Sequence, residues 1–363
     1  MKRILLSGYY GFGNTGDEAI LASTVKALRK ARPGLDIMVL SKDPEQTCTS
    51  YGVKAFQRMD IFQVGKAINQ ADLVVFGGGS LLQDVTSLRS LIYYLSIIQL
   101  SHLLGKPVVV YANGIGPISS RIGRTLTRHT LSKAKAITVR DAESKAELQR
   151  LGVPLEIKVT ADPAFLLDPS PEELADSILK QHGIDPAKSI VWLALRQMNL
   201  PPWLMDHLAD LVVWLRQEGY EPGFLAMQER DLAVAHDLNR RLVSANAGPL
   251  GTVWGISPED ALSLLGKAEY CLGMRLHTLI LSARAGVPFM GIEIDPKIGA
   301  FCRSAGCPVL PNPDPGSPNF DVKPEFERLM QDKHKLSQVL CRQLPQFRSL
   351  AQENIDMVLS YLG

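Results

Sequence analysis

The sequence predicts an α/β protein built from two Rossmann-like domains, with the active site in the cleft between them. Three observations support this prediction. The chain has 363 residues, enough for about two domains of roughly 150 residues each. Short apolar strands alternate with helices, as a parallel sheet covered on both faces requires. Several strands end in glycine, aspartate or proline clusters, at the edge where ligands bind in open α/β sheets.

The first half shows the alternation most clearly. An apolar strand at 4–7 runs into a glycine-rich turn, and a helix with apolar residues at helical spacing follows at 17–31. The remaining strands of this half are predicted at 36–40, 72–76, 107–112, 136–139 and 157–160. The pattern pauses near Asp168, so the first domain is predicted to span residues 1–168.

The pattern then restarts in a second half of similar size. Strands are predicted at 190–195, 223–227, 269–272 and 288–292, and helices at 203–218, 232–242 and 276–285. The second domain therefore spans residues 169–334. Residues 335–363 are predicted to form a separate helical segment with a break near Pro345, because proline lacks the N–H that a helix interior uses.

Composition excludes several classes of protein. Apolar residues make up 46% of the chain, charged residues 21%, and the formal net charge is +2, which gives no sign of nucleic-acid binding. A basic stretch at 121–135 is expected to be a solvated helix face, with contact to an anionic membrane as the alternative. The apolar helix at 88–104 is too short and too polar to span a bilayer, and we interpret it as buried.

The five cysteines predict reduced thiols rather than disulfides or a metal site. They form no CxxC pair and no Cys/His ligand spacing, and no export signal precedes the first strand. An odd number of cysteines in such a chain is typical of a cytoplasmic protein.

The segment Gly11–Gly16 has the G-x-G-x-x-G spacing of a dinucleotide-binding loop and lies between a strand and a helix. Two features argue against NAD(P). Asp17 and Glu18 occupy the first helical turn, where carboxylates would repel a pyrophosphate, and the next strand lacks an acidic residue at its tip for a ribose. We interpret the loop as a sugar site in which Asn14 and Asp17 bind hydroxyl groups. The structural alternative is helix capping by Asp17.

Two further motifs follow predicted strands. Gly77–Gly79 lets the backbone approach a ligand closely, because glycine leaves its N–H unshielded. In the second half, Arg275 and His277 lie two residues apart at a strand-to-helix junction. Arginine offers a planar fork for a carboxylate or phosphate, and histidine is suited to proton transfer near neutral pH. Arg196 and Lys297 follow other strands, so these cations together predict a small, strongly anionic donor.

These segments together resemble those of the polysaccharide pyruvyl transferase family. They occur in the family's order over roughly residues 4–300 and are most similar to the CsaB-type subgroup, which acts in bacterial cell-wall polysaccharide assembly. The matching segments are Gly8–Ala19, Phe76–Gly79, Gly114–Pro117, Arg140–Asp141, Asp162–Phe165, Gly273–His277 and Asp295–Lys297.

The resemblance implies a GT-B-like fold, phosphoenolpyruvate as the donor, and a pair of sugar hydroxyls as the acceptor, with no metal and no bound cofactor. The implied acceptor is an N-acetylmannosamine-type residue of a lipid-linked cell-wall oligosaccharide, and the ketal product anchors surface-layer proteins. The enzyme would then act in the cytoplasm, with peripheral contact to the inner face of the cell membrane as a further expectation.

The resemblance also assigns roles. Arg275 and His277 would bind phosphoenolpyruvate, with His277 as the general acid, and Arg196 and Lys297 join them by position. The ketal chemistry also requires a base that activates the acceptor, and the candidate for it is Asp17 or Glu18 of the first half. The residues expected on the acceptor side are Gly11, Asn14, Asp17, Glu18, Gly78 and Gly79.

Two alternatives stay open at this point. A glycosyltransferase of the GT-B type would use the same two halves to bind a nucleotide sugar, with Glu293 available to hold a ribose. A non-catalytic sugar-binding module is the second, and the intact Arg275 and His277 pair argues against it.

Overall fold

The computed structural model describes residues 2–85, 87–314 and 319–362. It divides into two compact units, Met1–Leu167 with Phe347–Gly363, and Asp168–Gln346. Each unit contains one parallel β-sheet flanked by helices, which confirms the α/β fold class.

The first unit is built on a sheet of seven parallel strands. Strands β1 to β7 are Arg3–Tyr10, Asp36–Ser41, Lys54–Gln57, Leu73–Gly77, Val108–Asn113, Ala136–Val139 and Ile157–Val159. Helices α1 to α6 are Thr15–Ala31, Pro44–Tyr51, Ile61–Gln70, Leu88–Leu103, Arg121–Leu131 and Ala142–Arg150. Helices α2 and α3 and strand β3 were not predicted from the sequence; β3 is only half-buried and lacks an apolar run.

The strand order of this sheet is β3-β2-β1-β4-β5-β6-β7. The order reverses between β1 and β4, which pair in parallel from Ile4 with Leu73 to Ser7 with Phe76. In a doubly wound sheet, ligands bind at the carboxyl ends of the strands beside such a reversal. The two glycine-rich loops, after β1 and after β4, therefore begin at the expected place.

The second unit contains a six-stranded parallel sheet. Strands β8 to β13 are Ile190–Ala194, Glu221–Leu225, Gly251–Val253, Ala268–Gly273, Phe289–Ile292 and Val309–Leu310. Helices α7 to α14 are Glu172–Gln181, Pro202–Gln217, Leu232–Ser244, Pro258–Gly266, Leu276–Arg284, Pro296–Ala305, Val322–Gln331 and Lys333–Ser360. The strand order β10-β9-β8-β11-β12-β13 repeats the pattern of the first sheet, with the reversal between β8 and β11.

The C-terminal segment is divided between the two units rather than forming a separate part. Helix α14 continues through Pro345 instead of breaking there, and the division between the units falls directly after it, between Gln346 and Phe347. Beyond that point Ile355 and Val358 are buried in the core of the first unit. Asn354 accepts hydrogen bonds there from Thr138 at 2.7 Å and Thr160 at 2.9 Å.

Helix α4 corrects one prediction, since it is amphipathic rather than buried. Its inner face contributes Leu91, Leu95 and Ile98 to the core against β4 and β5, whereas Ile92 is 41% exposed and Leu103 82% exposed. Among the helices in the described part of the chain, none combines the length and apolar character needed to cross a bilayer.

Candidate active site

The glycine loop after β1 is held by carboxylates of the chain itself. Asn14 caps α1 by accepting a hydrogen bond from the Gly16 N–H at 3.1 Å, and its amide donates to the Asp17 carboxylate. Glu18 accepts from the Gly11 N–H and from the Tyr51 hydroxyl, both at 2.8 Å. Two N–H groups of the loop are thus already engaged within the protein, that of Gly11 with a carboxylate and that of Gly16 with an amide oxygen, which agrees with the argument against NAD(P).

Burial raises the pKa of the Glu18 carboxyl above its ordinary value, and the nearby Asp17 adds to this shift. The hydrogen bonds from Tyr51 and Gly11 offset only part of it. A carboxylate whose proton affinity is raised in this way is a stronger base than an exposed one.

The glycines after β4 bring that loop against Asp17. Gly77, Gly78 and Gly79 have φ values of 148°, 79° and 78°, which side-chain-bearing residues rarely adopt. A Cβ atom on Gly79 would lie 2.6 Å from Asp17 Oδ1, and one on Gly77 would lie 2.0 Å from the Tyr111 carbonyl oxygen. The triplet therefore serves close packing. Gly79 lies beside the predicted sugar-binding carboxylate, whereas Gly78 lies against Ile20 and the Tyr10 hydroxyl.

Arg140 is a buried cation at the same edge that was not among the predicted site residues. Its side chain is 5% exposed and pairs with Asp162 at 2.7 Å, and it donates to the Ser80 hydroxyl at 2.7 Å. Burial lowers the pKa of Arg140, but the Asp162 and Asp141 carboxylates outweigh that effect and raise it. The signal in the sequence was the pair of motifs Arg140–Asp141 and Asp162–Pro163, because each follows a strand.

Asn113, the last residue of β5, carries a buried amide at this edge. The residue is fully buried, and neither its oxygen nor its nitrogen has a hydrogen-bond partner within residues 2–85, 87–314 and 319–362. Most buried polar side-chain atoms have a partner, so such an amide points to a bound water or ligand. The next residue, Gly114, lies against Ser80 and Arg140.

Arg58 was also missed, and its position depends on tertiary structure alone. It is 4% exposed and donates to the Gly8 carbonyl oxygen at 2.7 Å. Its guanidinium lies 4.9 Å from the ring centroids of both Phe12 and Tyr93, a distance typical of cation–π contacts. Arg58 therefore fixes the position of Phe12 in the glycine loop.

In the second unit, Arg275 is already paired with a carboxylate of the protein. It precedes α11, and its guanidinium contacts both oxygens of Asp231, with Nε to Oδ2 at 3.0 Å. It also donates to the Gln228 side-chain oxygen at 3.1 Å. Asp231 is fully buried and accepts hydrogen bonds from the Gln197 and Gln228 N–H groups. The Arg275 guanidinium, which was predicted to bind the donor, is thus paired with the Asp231 carboxylate of the same unit.

Three arginines surround this single carboxylate. Burial lowers the pKa of Arg275, the pairing with Asp231 raises it, and the positive charges of Arg196 and Arg230 lower it further. Arg230 is exposed and donates to Gln228 at 2.6 Å. Arg230 was not among the site residues predicted from the sequence. Three cations around one anion leave an excess of positive charge, which favours an anionic ligand.

His277 and Lys297 are both half-buried and lie at neighbouring helix starts. His277 is in the first turn of α11, and Lys297 is in the first turn of α12, where its N–H donates to the capping Asp295 at 3.0 Å. The cations Arg230, Arg196, Arg275 and Lys297 follow β9, β8, β11 and β12, four neighbouring strands of the sheet. The structure thus brings the four predicted donor-side residues to one edge and adds Arg230.

Metal-ligand groups and pockets are the remaining features of the described residues that bear on a site. No group of three or more His, Cys, Asp or Glu side chains in that part of the chain is arranged to hold a metal ion. A pocket of about 360 Å³ in the second unit is bordered by α7, α10 and the end of α11, with Ser170, Ser263 and Arg284 in its wall. That position is the edge of the sheet opposite to the one where His277 begins α11.

Comparison with solved structures identifies the fold. The UDP-GlcNAc 2-epimerase of Neisseria meningitidis, bound to UDP-GlcNAc, superimposes with a TM-score of 0.63 at 14% identity, covering 99% of this chain and 100% of that one. A glycosyltransferase of Rickettsia africae gives a TM-score of 0.66 at 9% identity, covering 99% and 98%. The fold is therefore a GT-B-like pair of Rossmann domains.

Comparison of sequences identifies the family. The chain is 22% identical over 437 aligned positions to the amylovoran biosynthesis protein AmsJ of Erwinia amylovora, covering 99% of this chain and 100% of that protein. The family model for polysaccharide pyruvyl transferase matches residues 14–296, most of the chain. This protein belongs to the polysaccharide pyruvyl transferase family.

Proposed function

We propose that this protein transfers a pyruvyl group from phosphoenolpyruvate to two hydroxyls of one sugar, forming a ketal. The observation that carries the proposal is the placement of arginine or lysine after four neighbouring strands of the second sheet, with Arg275 among them held by the buried Asp231 carboxylate. Phosphoenolpyruvate is small and carries both a phosphate and a carboxylate, the two groups that arginine binds best.

The donor binds Arg196, Arg275 and Lys297, and Arg230 joins this set. Arg275 stays paired with Asp231. It therefore contributes positive charge to the cluster and also holds the neighbouring side chains in position. His277 donates a proton to the methylene carbon of phosphoenolpyruvate, which generates an oxocarbenium centre at C2. Nearby cations stabilise the phosphate as it leaves.

The acceptor binds the first unit through Gly11, Asn14, Asp17, Glu18, Gly78 and Gly79. One sugar hydroxyl attacks C2 and the C2–O bond to phosphate then breaks. The second hydroxyl closes the ketal. The two sugar hydroxyls release two protons in total. One of them replaces the proton that was added to the methylene carbon, and the other leaves with the phosphate. Asp17 or Glu18 takes the proton from the attacking hydroxyl, and the raised pKa of Glu18 favours it as the base.

The acceptor we propose is an N-acetylmannosamine residue of a lipid-linked cell-wall polysaccharide precursor, as in the CsaB-type subgroup, with the product used to anchor surface-layer proteins. The reaction would then take place in the cytoplasm and need no metal or bound cofactor. The similarity to the amylovoran biosynthesis protein supports a polysaccharide acceptor in general.

The test is to incubate the purified protein with phosphoenolpyruvate and an N-acetylmannosamine-containing disaccharide-lipid, and to measure released phosphate and the mass of the product. We expect one phosphate released per ketal formed. Because the fold is shared with a protein bound to a nucleotide sugar, binding of UDP sugars is measured on the same preparation. Tight UDP-sugar binding without phosphate release would overturn the proposal in favour of a nucleotide-sugar glycosyltransferase.

A further inference from the structure

Five large apolar side chains of the first unit protrude into solvent close to the carboxyl edge of its sheet. They are Met59, Ile61, Phe62, Val85 and Ile122, with exposed fractions of 66%, 64%, 86%, 70% and 60%. We call them the edge patch. Single exposed apolar residues are common, but several in one region mark an interaction surface.

The architecture explains why these residues belong together. Helices α3, α4 and α5 contribute to the same core cluster on one face of the sheet, and α4 packs against both of the others. In a parallel α/β unit, each such helix begins at the carboxyl edge of the strands. Met59, Ile61 and Phe62 stand at the start of α3, Val85 precedes α4, and Ile122 is in the first turn of α5.

The same three helices carry a concentrated positive charge. Together they contain five Lys or Arg and no Asp or Glu, and the whole stretch 59–135 contains eight Lys or Arg against three Asp or Glu, although the whole chain has a net charge of +2. Two of the three acids accept hydrogen bonds from backbone N–H groups: Asp84 from Ser119 and Ser120, and Asp60, which caps α3 between Met59 and Ile61, from Phe62. Arg89 and Arg121 begin α4 and α5, are exposed, and form no ion pair with any carboxylate in the described part of the chain.

We propose that the edge patch docks the protein on an anionic lipid bilayer. Apolar side chains that protrude among unpaired arginines are typical of proteins that lie in a membrane interface, where the rings and alkyl groups enter the acyl boundary and the cations contact lipid phosphates. The basic stretch at 121–135, which was expected to be a solvated helix face, thus forms one side of the docking surface.

Docking at this edge has a consequence for the acceptor loops. The carboxyl edge of the first sheet also carries Asn14, Asp17 and Gly79, so a bilayer at the edge patch holds membrane-attached substrates near those loops. The docking surface does not depend on the proposed reaction, because it is defined by residues outside both the donor and the acceptor sets.

The test is co-sedimentation of the full chain with vesicles of phosphatidylglycerol and phosphatidylcholine, compared with phosphatidylcholine alone. We expect binding to the anionic vesicles at about 0.1 M salt, where charges act over about 10 Å, and loss of most of it near 1 M, where that distance falls to about 3 Å. Equal binding to both vesicle types, or none to either, overturns the proposal.

Three variants test which residues bind. Ile61→Ser with Phe62→Ser lowers vesicle affinity about tenfold or more, since two large side chains no longer leave water. Arg89→Gln with Arg121→Gln lowers it about fivefold for each arginine. The matched control is Leu103→Ser, because Leu103 is as exposed as Phe62 but lies at the other end of α4.

The control and one further measurement make the outcome decisive. Leu103→Ser should bind anionic vesicles as the unaltered chain does, and an equal loss in that variant overturns the edge patch as the docking surface. Sedimentation in the absence of lipid detects a dimer. A dimer abolished by the Ile61 and Phe62 substitutions, without vesicle binding, would mean that the patch covers a second copy of the chain.

Discussion

Asp231 is the buried carboxylate on which the arginine cluster of the second unit depends, and Asp231→Asn is the most informative substitution. The side chain is fully buried, accepts from the Gln197 N–H at 3.1 Å and the Gln228 N–H at 3.2 Å, and pairs with Arg275. Asparagine keeps the volume and one acceptor oxygen but removes the negative charge. The guanidinium of Arg275 then faces Arg196 and Arg230 without compensation.

The expected loss of stability follows from this geometry. Removing one partner of a buried ion pair costs about 3–5 kcal/mol, because the other charge stays buried without its counter-charge. Asparagine retains part of the hydrogen bonding, so we expect the lower end, about 3 kcal/mol. In a unit of 150–250 residues, 1 kcal/mol changes Tm by about 2–4 °C, which gives a fall of roughly 6–12 °C.

Differential scanning calorimetry measures this change, and circular dichroism checks that the fold is retained at low temperature. The control is Asp237→Asn, because Asp237 pairs with Arg240 and Arg241 at the surface, where all three side chains are at least partly exposed. This substitution should change stability by less than about 0.5 kcal/mol. A fall of less than about 2 °C for Asp231→Asn would refute the reasoning that this carboxylate holds the cluster together. A loss of phosphoenolpyruvate affinity with an unchanged Tm would also refute it.

Three further predictions concern individual side chains. His277→Ala should abolish phosphate release while Tm and phosphoenolpyruvate binding stay measurable, with exposed His236→Ala as the control; near-normal release would remove His277 from the mechanism. Glu18→Gln should change how stability depends on pH. The folded-state pKa of Glu18 is raised, so its contribution to stability is complete below the unfolded pKa and is lost as pH rises through the folded pKa. The variant should gain in unfolding free energy relative to the unaltered chain as pH rises above about 4.5, the ordinary value for glutamate, measured by urea titration, and a difference that does not change with pH above that value would contradict the assignment. Asn113→Leu should leave unfolding free energy equal or higher by up to about 2 kcal/mol, since it removes a buried amide without a protein partner, but should lower turnover at least tenfold; full activity would show that the amide has no role at the site.

Much of the fold was predictable from the sequence because it depends on local patterns. Buried parallel strands require continuous apolar runs, so β1, β4, β5 and β6 were placed to within a few residues. Strand β3 was missed because its side chains are only half-buried, and α4 was misjudged because apolar residues on its outer face are exposed. Pro345 was expected to end a helix, yet the helix continues, since packing on both sides of it outweighs the loss of one hydrogen bond.

The candidate residues divide in the same way. The sequence by itself determined which residues follow a strand, and parallel strands bring all such residues to one edge; Arg275, His277 and Lys297 were found on that basis. Only the tertiary structure decided which of them already has a partner within the protein. The pairing of Arg275 with Asp231 joins residues 44 positions apart, and the strand order that brings β9 beside β8 determines it. Such partners depend on long-range packing and on burial, which no local pattern of residues specifies.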